Sequence, residues 1–274
     1  MTNRSQTARN INKPSHTLGV LIICIYVCFI GLPLLALIIK AASSASVLTV
    51  ILSPITIQAI KLSIITSVIS VIVIVVVGTP VAYMISRSDS KILKILDVFI
   101  ELPIILPPVV AGVAMLMAFG RQGIIGAPLE QLGITIPFTT TAVIFAQIFV
   151  AAPFYIRSAR ISFGAIDNDL EDLSRTLGKS PWYTFWRITI PLTWTGLTTG
   201  LALTWARSLS EFGATLMFAG NMIGKTQTMP LGILTAMETD LNAALSLSLI
   251  LLIVSVCILL GIHLLSSKLS KYRS

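Results

Sequence analysis

The chain has 274 residues, a length that suits one or two soluble domains or one polytopic membrane domain. Only 11% of residues are charged and 55% are hydrophobic, with a mean hydropathy of +0.93, whereas a soluble domain carries roughly a quarter charged residues. That excludes an ordinary hydrated surface. The net charge of +8 sits in short clusters between long apolar runs, which excludes a basic nucleic-acid-binding face and matches loops on the cytoplasmic side of a membrane.

A spanning helix needs roughly 20 mostly apolar residues, because lipid offers no partner to a backbone N–H or C=O. Six segments meet this, at 18–39, 58–86, 98–119, 139–158, 193–218 and 244–265. The chain therefore reads as an all-α membrane protein of about six transmembrane helices. A tail at 1–17 precedes one transmembrane domain over 18–266, and a second tail follows at 267–274. The first run, Leu18 to Ile39, follows Arg4, Arg9 and Lys13 and is longer than a signal-peptide core, so it reads as a retained span. Cys24, Cys28 and Cys257 lie inside apolar runs without metal-ligand spacing and read as buried small hydrophobes.

In the third segment Glu101 follows Asp97 by four residues and reads as an interfacial acid. Pro103, Pro107 and Pro108 break regular helix hydrogen bonding there, as in broken helices that line transporter pathways and equally in packing kinks. The fourth segment holds Gln147 and Pro153.

The polar stretch from Ser158 to Pro191 reads as two short helices and a turn. Asn168 is placed to cap the first, with Glu171 as capping-box partner. Leu170, Leu173 and Leu177 share one face at helical spacing. Gly178 can end the helix in a left-handed conformation, and Ser180-Pro181 starts a second helix carrying Trp182, Phe185 and Trp186 and stopping before Pro191. Such a pair would lie on the membrane surface and present a face to a partner.

In the fifth segment Arg207 lies about 21 Å along the helix at 1.5 Å per residue, with Glu211 one turn on. A charge at that depth costs a few kcal/mol and must face the bundle interior or a wet cavity. Two readings stay open: an internal ion pair locking the bundle, or Arg207 in an anion pathway with Glu211 holding it. Gly196 and Gly200 form a G-x-x-x-G pair that permits close helix approach. Ala219, four residues, then Gly224-Lys225-Thr226 is a relaxed phosphate-loop match, but it lacks the first glycine and a preceding strand. It reads instead as an external loop. His16 and His263 have no Cys or acidic companions and receive no role.

Orientation follows from the cations. With both ends inside, the cytoplasmic segments hold Arg4, Arg9, Lys13, Arg87, Lys91, Lys94, Arg157, Arg160, Arg175, Lys179, Arg187, Lys268, Lys271 and Arg273, fourteen of nineteen basic residues.

The stretch "EDLSRTLGKSPWYTFWRITIPL" resembles the cytoplasmic motif of ABC importer permeases, Glu-Ala-Ala, three residues, Gly, then a downstream Leu-Pro. Gly178 and Pro191 match its glycine and proline. Asp172, Leu173 and Ser174 fall on Glu-Ala-Ala, a departure at all three positions. "LPIILPPVVAG", "SLSEFGATLMFAGN" and "KTQTMPLGI" are similar to the molybdate and tungstate branch, with sulfate permeases close by. The resemblance covers residues 50–265.

It implies a type I ABC importer permease fold with a cytoplasmic coupling-helix pair in the loop 159–191. The implied function is the permease subunit of an ATP-driven oxyanion importer in a prokaryotic inner membrane, not itself an enzyme. It also implies two cytoplasmic ATPase copies that use the ATP, an extracytoplasmic oxyanion-binding protein, a second permease copy and surrounding lipid. No cofactor is implied on this chain. Two other classes compete: a secondary transporter or channel, against which the capped helix pair argues, and a membrane-embedded enzyme, for which no cluster at catalytic spacing speaks.

Overall fold

The computed structural model describes residues 13–43 and 47–271, and every element among them is a helix. The tails at 1–12 and 272–274 and the side chains of His16 and His263 lie outside the described residues. Helix α1 spans Lys13–Ala42, the short α2 spans Val47–Ile51, and α3 spans Pro54–Ser86. Helices α4 (Lys91–Ile105) and α5 (Pro108–Phe119) come next, then α6 (Gly126–Gln131) and α7 (Thr140–Gly164). Helix α8 (Asn168–Thr176) and α9 (Pro181–Thr184) lead through a π-helical turn at Phe185–Thr189 into α10 (Ile190–Leu209). Helices α11 (Gly213–Ala219), α12 (Met229–Thr239) and α13 (Leu241–Lys271) complete the chain.

Among the described residues, four helices are long and apolar enough to cross a membrane: Leu18–Ala42 of α1, α3, α7 and Leu241–Ile262 of α13. The bent pair α4–α5 would make a fifth. At 20 residues, α10 reaches roughly 30 Å but is richer in threonine. Thr193, Thr198 and Thr199 each return a hydroxyl to a carbonyl one turn back, so lipid meets few bare donors.

Two of the six expected spans are not single helices. The segment 98–119 is broken between Ile105 and Pro108 with a 119° bend. Leu106 precedes Pro107 and is forced extended (φ −67, ψ 131), and Pro108 then starts α5 at a position where its missing N–H costs nothing. The segment 193–218 ends its long helix at Leu209, and α11 begins only at Gly213. The fourth segment runs on to Gly164, six residues beyond the expected end, and its Arg157 and Arg160 pair with acids on α4.

The core is α3 against α7, with α10 against both. Helix α3 turns Ala59, Ser63, Ser67, Ser70, Ile74, Gly78 and Ala82 inward at helical spacing, a stripe narrow enough for close packing. A chain of polar bonds seals it. Ser70 donates to Gln147 Oε1 at 2.9 Å, Gln147 Nε2 donates to Thr66 at 3.2 Å, and Trp205 Nε1 donates to Ser67 at 3.1 Å. Interhelical bonds of this kind contribute about 0.6 kcal/mol each in membranes. The Gly196–Gly200 pair does bring α10 close to α7: a β-carbon on Gly200 would lie 2.8 Å from Ser158 Cβ.

Cys24, Cys28 and Cys257 are exposed, not buried. They sit in the long apolar runs of α1 and α13, so a small apolar side chain is at home there without a core around it.

Candidate functional site: a broken-helix pair and a capped helix junction

The first site lies where the two helix breaks meet. Helices α5 and α11 run together, and a β-carbon on Gly213 would lie 2.8 Å from Pro108 Cβ, one on Gly112 2.7 Å from Met217 Cβ. Only glycine allows this approach. Arg207 lies in the last turn of α10, where a cation favours the helix terminus. Its Nη2 is 2.8 Å from Glu211 Oε2, with the arginine side chain 25% exposed and the glutamate fully enclosed. Glu211 Oε1 also accepts the Ala214 backbone N–H at 2.8 Å, and so fastens the start of α11. The two intramembrane charges singled out from sequence are thus joined, and one edge of the guanidinium stays open. The hydroxyls of Thr204, Ser208 and Thr215 around this break are buried.

A groove of about 520 Å³ runs between α3, α7 and α10, walled by Val75, Tyr155, Trp182, Trp186, Trp194 and Leu201. Its lining is apolar, the wrong chemistry for a dianion. The stretch 219–226 leaves the last residue of α11 and runs as a loop toward α12, with Gly220 and Gly224 at positive φ. The Lys225 carbonyl accepts from Thr140 at the start of α7. A loop leaving one helix and entering another is not the strand–loop–helix of a phosphate loop.

The second site is the junction at the opposite end. The cap of α8 is Asp167, whose carboxylate accepts the Asp169 N–H at 3.1 Å. Asn168, expected as the cap, is the first helical residue and accepts from Arg87. Glu171 does not close a capping box. It is 4% exposed and receives three donors: Tyr83 OH at 2.9 Å, Arg87 Nη2 at 2.8 Å and Thr189 Oγ1 at 2.8 Å. Burial pushes its carboxyl up, but the hydrogen bonds from Arg87, Thr189 and Tyr83 and the Arg87 charge outweigh that and hold it below the ordinary range. Because its folded pKa is depressed, the stabilisation is present above the unfolded value of about 4.3 and is lost as pH falls through the lower folded one.

The residues matched to the family's Glu-Ala-Ala divide. Asp172 is exposed and pairs locally with Arg175 at 3.2 Å. Leu173 is exposed along with Leu170 and Leu177. Ser174 is buried and shares a hydrogen bond with Thr184 of α9 at 2.8 Å. Gly178 has φ +75; its N–H donates to Arg175 O at 2.9 Å, and Lys179 N–H donates to Ser174 O at 3.1 Å. This paired closure satisfies the last carbonyls of α8 and needs a left-handed residue. Ser180 caps α9 through the Tyr183 N–H.

Pro191 does not stop the helix. The chain passes through the π-helical turn into α10 with Pro191 in its first turn. A proline cannot donate to the carbonyl four residues back, and one widened turn absorbs the resulting clash.

A second set of charges flanks the junction. Asp97 pairs with Arg160, and Glu101 Oε1 lies 3.3 Å from Arg160 Nη2 and 3.9 Å from Arg157 Nε. The acids on α4 are therefore clamped to α7.

The family model described as "Binding-protein-dependent transport system inner membrane component" matches residues 74–271. The probable transport system permease protein NifC of Clostridium pasteurianum is 46% identical over 209 residues, 76% of this chain and 73% of NifC. The molybdenum transport system permease protein ModB of Mycobacterium tuberculosis is 41% identical over 234 residues, 85% of this chain and 88% of ModB. The sulfate transport system permease protein CysW of Synechococcus elongatus is 38% identical over 174 residues, 64% of this chain and 61% of CysW. Among solved structures, a bacterial ABC transporter that imports alginate superposes with a TM-score of 0.74 at 17% identity, covering 92% of this chain and 94% of that one. The MetNI methionine ABC transporter superposes with a TM-score of 0.61 at 16% identity, covering 78% and 96%; both show the type I importer permease fold. This chain belongs to the family of binding-protein-dependent transport system inner membrane components.

Proposed function

We propose that the chain is the permease subunit of an ATP-driven importer of molybdate or a closely similar oxyanion. Two copies form the pathway, two cytoplasmic ATPase subunits dock at the α8–α9 junction, and an extracytoplasmic binding protein delivers the anion. ATP is hydrolysed on the ATPase, and this chain carries no cofactor. The observation that carries the reading is the junction itself. Two capped helices stand at one end of an apolar bundle, joined by a left-handed glycine, with Leu170, Leu173 and Leu177 uncovered. A secondary transporter has no use for an exposed, rigid leucine face outside lipid.

Arg207 and Glu211 are assigned to the anion pathway. Helix breaks at 106–107 and 210–212 meet beside them, and broken helices recur at transporter pathways. The names of the ModB and NifC relatives favour molybdate, and that of CysW keeps sulfate as the alternative. Both are tetrahedral dianions, so uptake decides between them. Vesicles holding the purified complex, with two permease copies per two ATPases, are expected to take up labelled molybdate in preference to labelled sulfate. A preference for sulfate, or no ATP-dependent uptake of either, overturns the assignment.

Both termini are assigned to the cytoplasm with six crossings. Arg87 contacts Glu171 and Asn168, so the α3–α4 and α7–α10 connections share one end. Thr140 contacts Lys225 at the other. Reporter fusions after Ser88 and Lys179 should read inside, and those after Gln131 and Asn221 outside. An external signal at Lys179 would reverse the whole map.

A further inference from the structure

Helix α8 is held to the bundle by polar contacts rather than by apolar packing. Its leucines face away and are exposed, and its connections at either end are three or four residues long. Two buried groups attach it. Ser174 reaches α9 through Thr184. Glu171 reaches α3 through Tyr83 and Arg87, and the π-helical turn through Thr189. Arg87 gathers the same segment a second time, donating to Ile166 O and to Asn168. That fork of donors is a guanidinium property that lysine lacks.

We infer that Glu171 is a positioning residue, the tie that makes α8 move as one body with α3 and with the π-helical turn that opens α10. The inference rests on the importer reading above and goes beyond it by naming where displacement enters the membrane. The family-type position for the acid is Asp172, but that side chain faces outward and pairs with Arg175 one turn on; the neighbouring Glu171 has the inward route. Thr189 ends the π-helical turn, and α10 continues from it without interruption to Arg207, 18 residues on, so a pull on Glu171 is delivered about 27 Å away along a hydrogen-bonded rod. Tyr83 lies in the last turn of α3 and packs edge-on against Phe163 of α7 and Phe185 of the turn, with centroids 5.5 and 5.2 Å away. The end of α3 and the start of α10 therefore meet at one carboxylate, and α7 packs against its tyrosine partner.

The test uses the full complex with binding protein and ATPase in vesicles, reading oxyanion moved per ATP hydrolysed. Glu171→Gln keeps the shape and removes the charge. ATPase subunits are expected to stay bound and to hydrolyse ATP, while anion moved per ATP falls by at least about tenfold, within the range seen for coupling elements. A second variant separates positioning from folding. In a background without Cys24, Cys28 and Cys257, Glu171→Cys with Thr189→Cys should be uncoupled as prepared. It should regain coupling once a short bifunctional thiol reagent joins the two. A ratio within twofold of the parent for Glu171→Gln overturns the inference, as does uptake that falls only in step with complex recovered, or no recovery on crosslinking. Failure of the parent complex to import any oxyanion would instead overturn the importer reading.

Discussion

Gly178→Arg is expected to leave the permease inserted and folded while uptake falls by an order of magnitude or more, the effect of about 1.4 kcal/mol on a docking equilibrium. Two separable costs act at this position. The first is conformational: φ is +75, and a residue with a β-carbon pays roughly 1–2 kcal/mol to stay there. The second is bulk. A β-carbon on Gly178 meets nothing within 4 Å beyond its two chain neighbours, so an arginine has room within the subunit and projects outward beside the exposed leucines. Gly178→Ala isolates the first cost. It should lower stability modestly and leave most uptake, because an alanine adds little beyond the turn. Gly178→Arg adds the second cost at the surface assigned to the ATPase, so ATPase subunits should co-purify weakly or hydrolyse without transport. The measurement is ATPase co-purification alongside substrate uptake in vesicles. Equal losses in the two variants would place the whole effect in backbone strain, and normal uptake by Gly178→Arg would remove the coupling role from this turn.

The long apolar helices α1, α3, α7 and α13 were legible because lipid imposes one rule on every residue that faces it, and a run of apolar residues carries that rule locally. The breaks were half legible. Pro107 and Pro108 announce an interruption with its 119° bend, but α11 packs on α5 beside it, where Gly213 admits Pro108, and residues 105 positions apart carry no local sign of that contact. At the junction the glycine turn was readable from one residue, whereas the acid was not. The helical spacing of Leu170, Leu173 and Leu177 marks a face for a partner, and that face is uncovered. The inward face is Glu171 and Ser174, which no apolar periodicity marks. The pairing of Glu171 with Arg87 spans 84 positions and is set by the packing of α3 on α7. One signal was available: small and hydroxyl residues at 59, 63, 67, 70, 78 and 82 interrupt the Val/Ile run of α3 at helical spacing, which marks its packed face.

Arg207→Ala combined with Glu211→Gln is expected to restore folded permease but not transport. The single change Arg207→Ala leaves a carboxylate that is 1% exposed with the Ala214 N–H as its remaining close donor. Removing one partner of a buried pair costs about 3–5 kcal/mol, a large part of a typical domain's 5–15 kcal/mol stability, so the amount of folded protein should drop. Glutamine at 211 removes that penalty, since its carbonyl oxygen can still accept the Ala214 N–H and it carries no charge to strand. Folded amount then returns whether or not Arg207 meets the substrate. Uptake per folded permease separates the two readings. The guanidinium is 25% exposed beside two helix breaks, and a unit charge pair at 4 Å gains about 4 kcal/mol at an effective dielectric constant of 20. A dianion passing this point loses that attraction in the double variant, so uptake per folded permease should stay at least tenfold down, which corresponds to only about 1.4 kcal/mol of it. Measuring permease amount by tryptophan fluorescence and oxyanion uptake in the same vesicles gives both numbers. Recovery of uptake in proportion to folded amount would reduce the pair to a lock between α10 and α11 and remove Arg207 from the pathway.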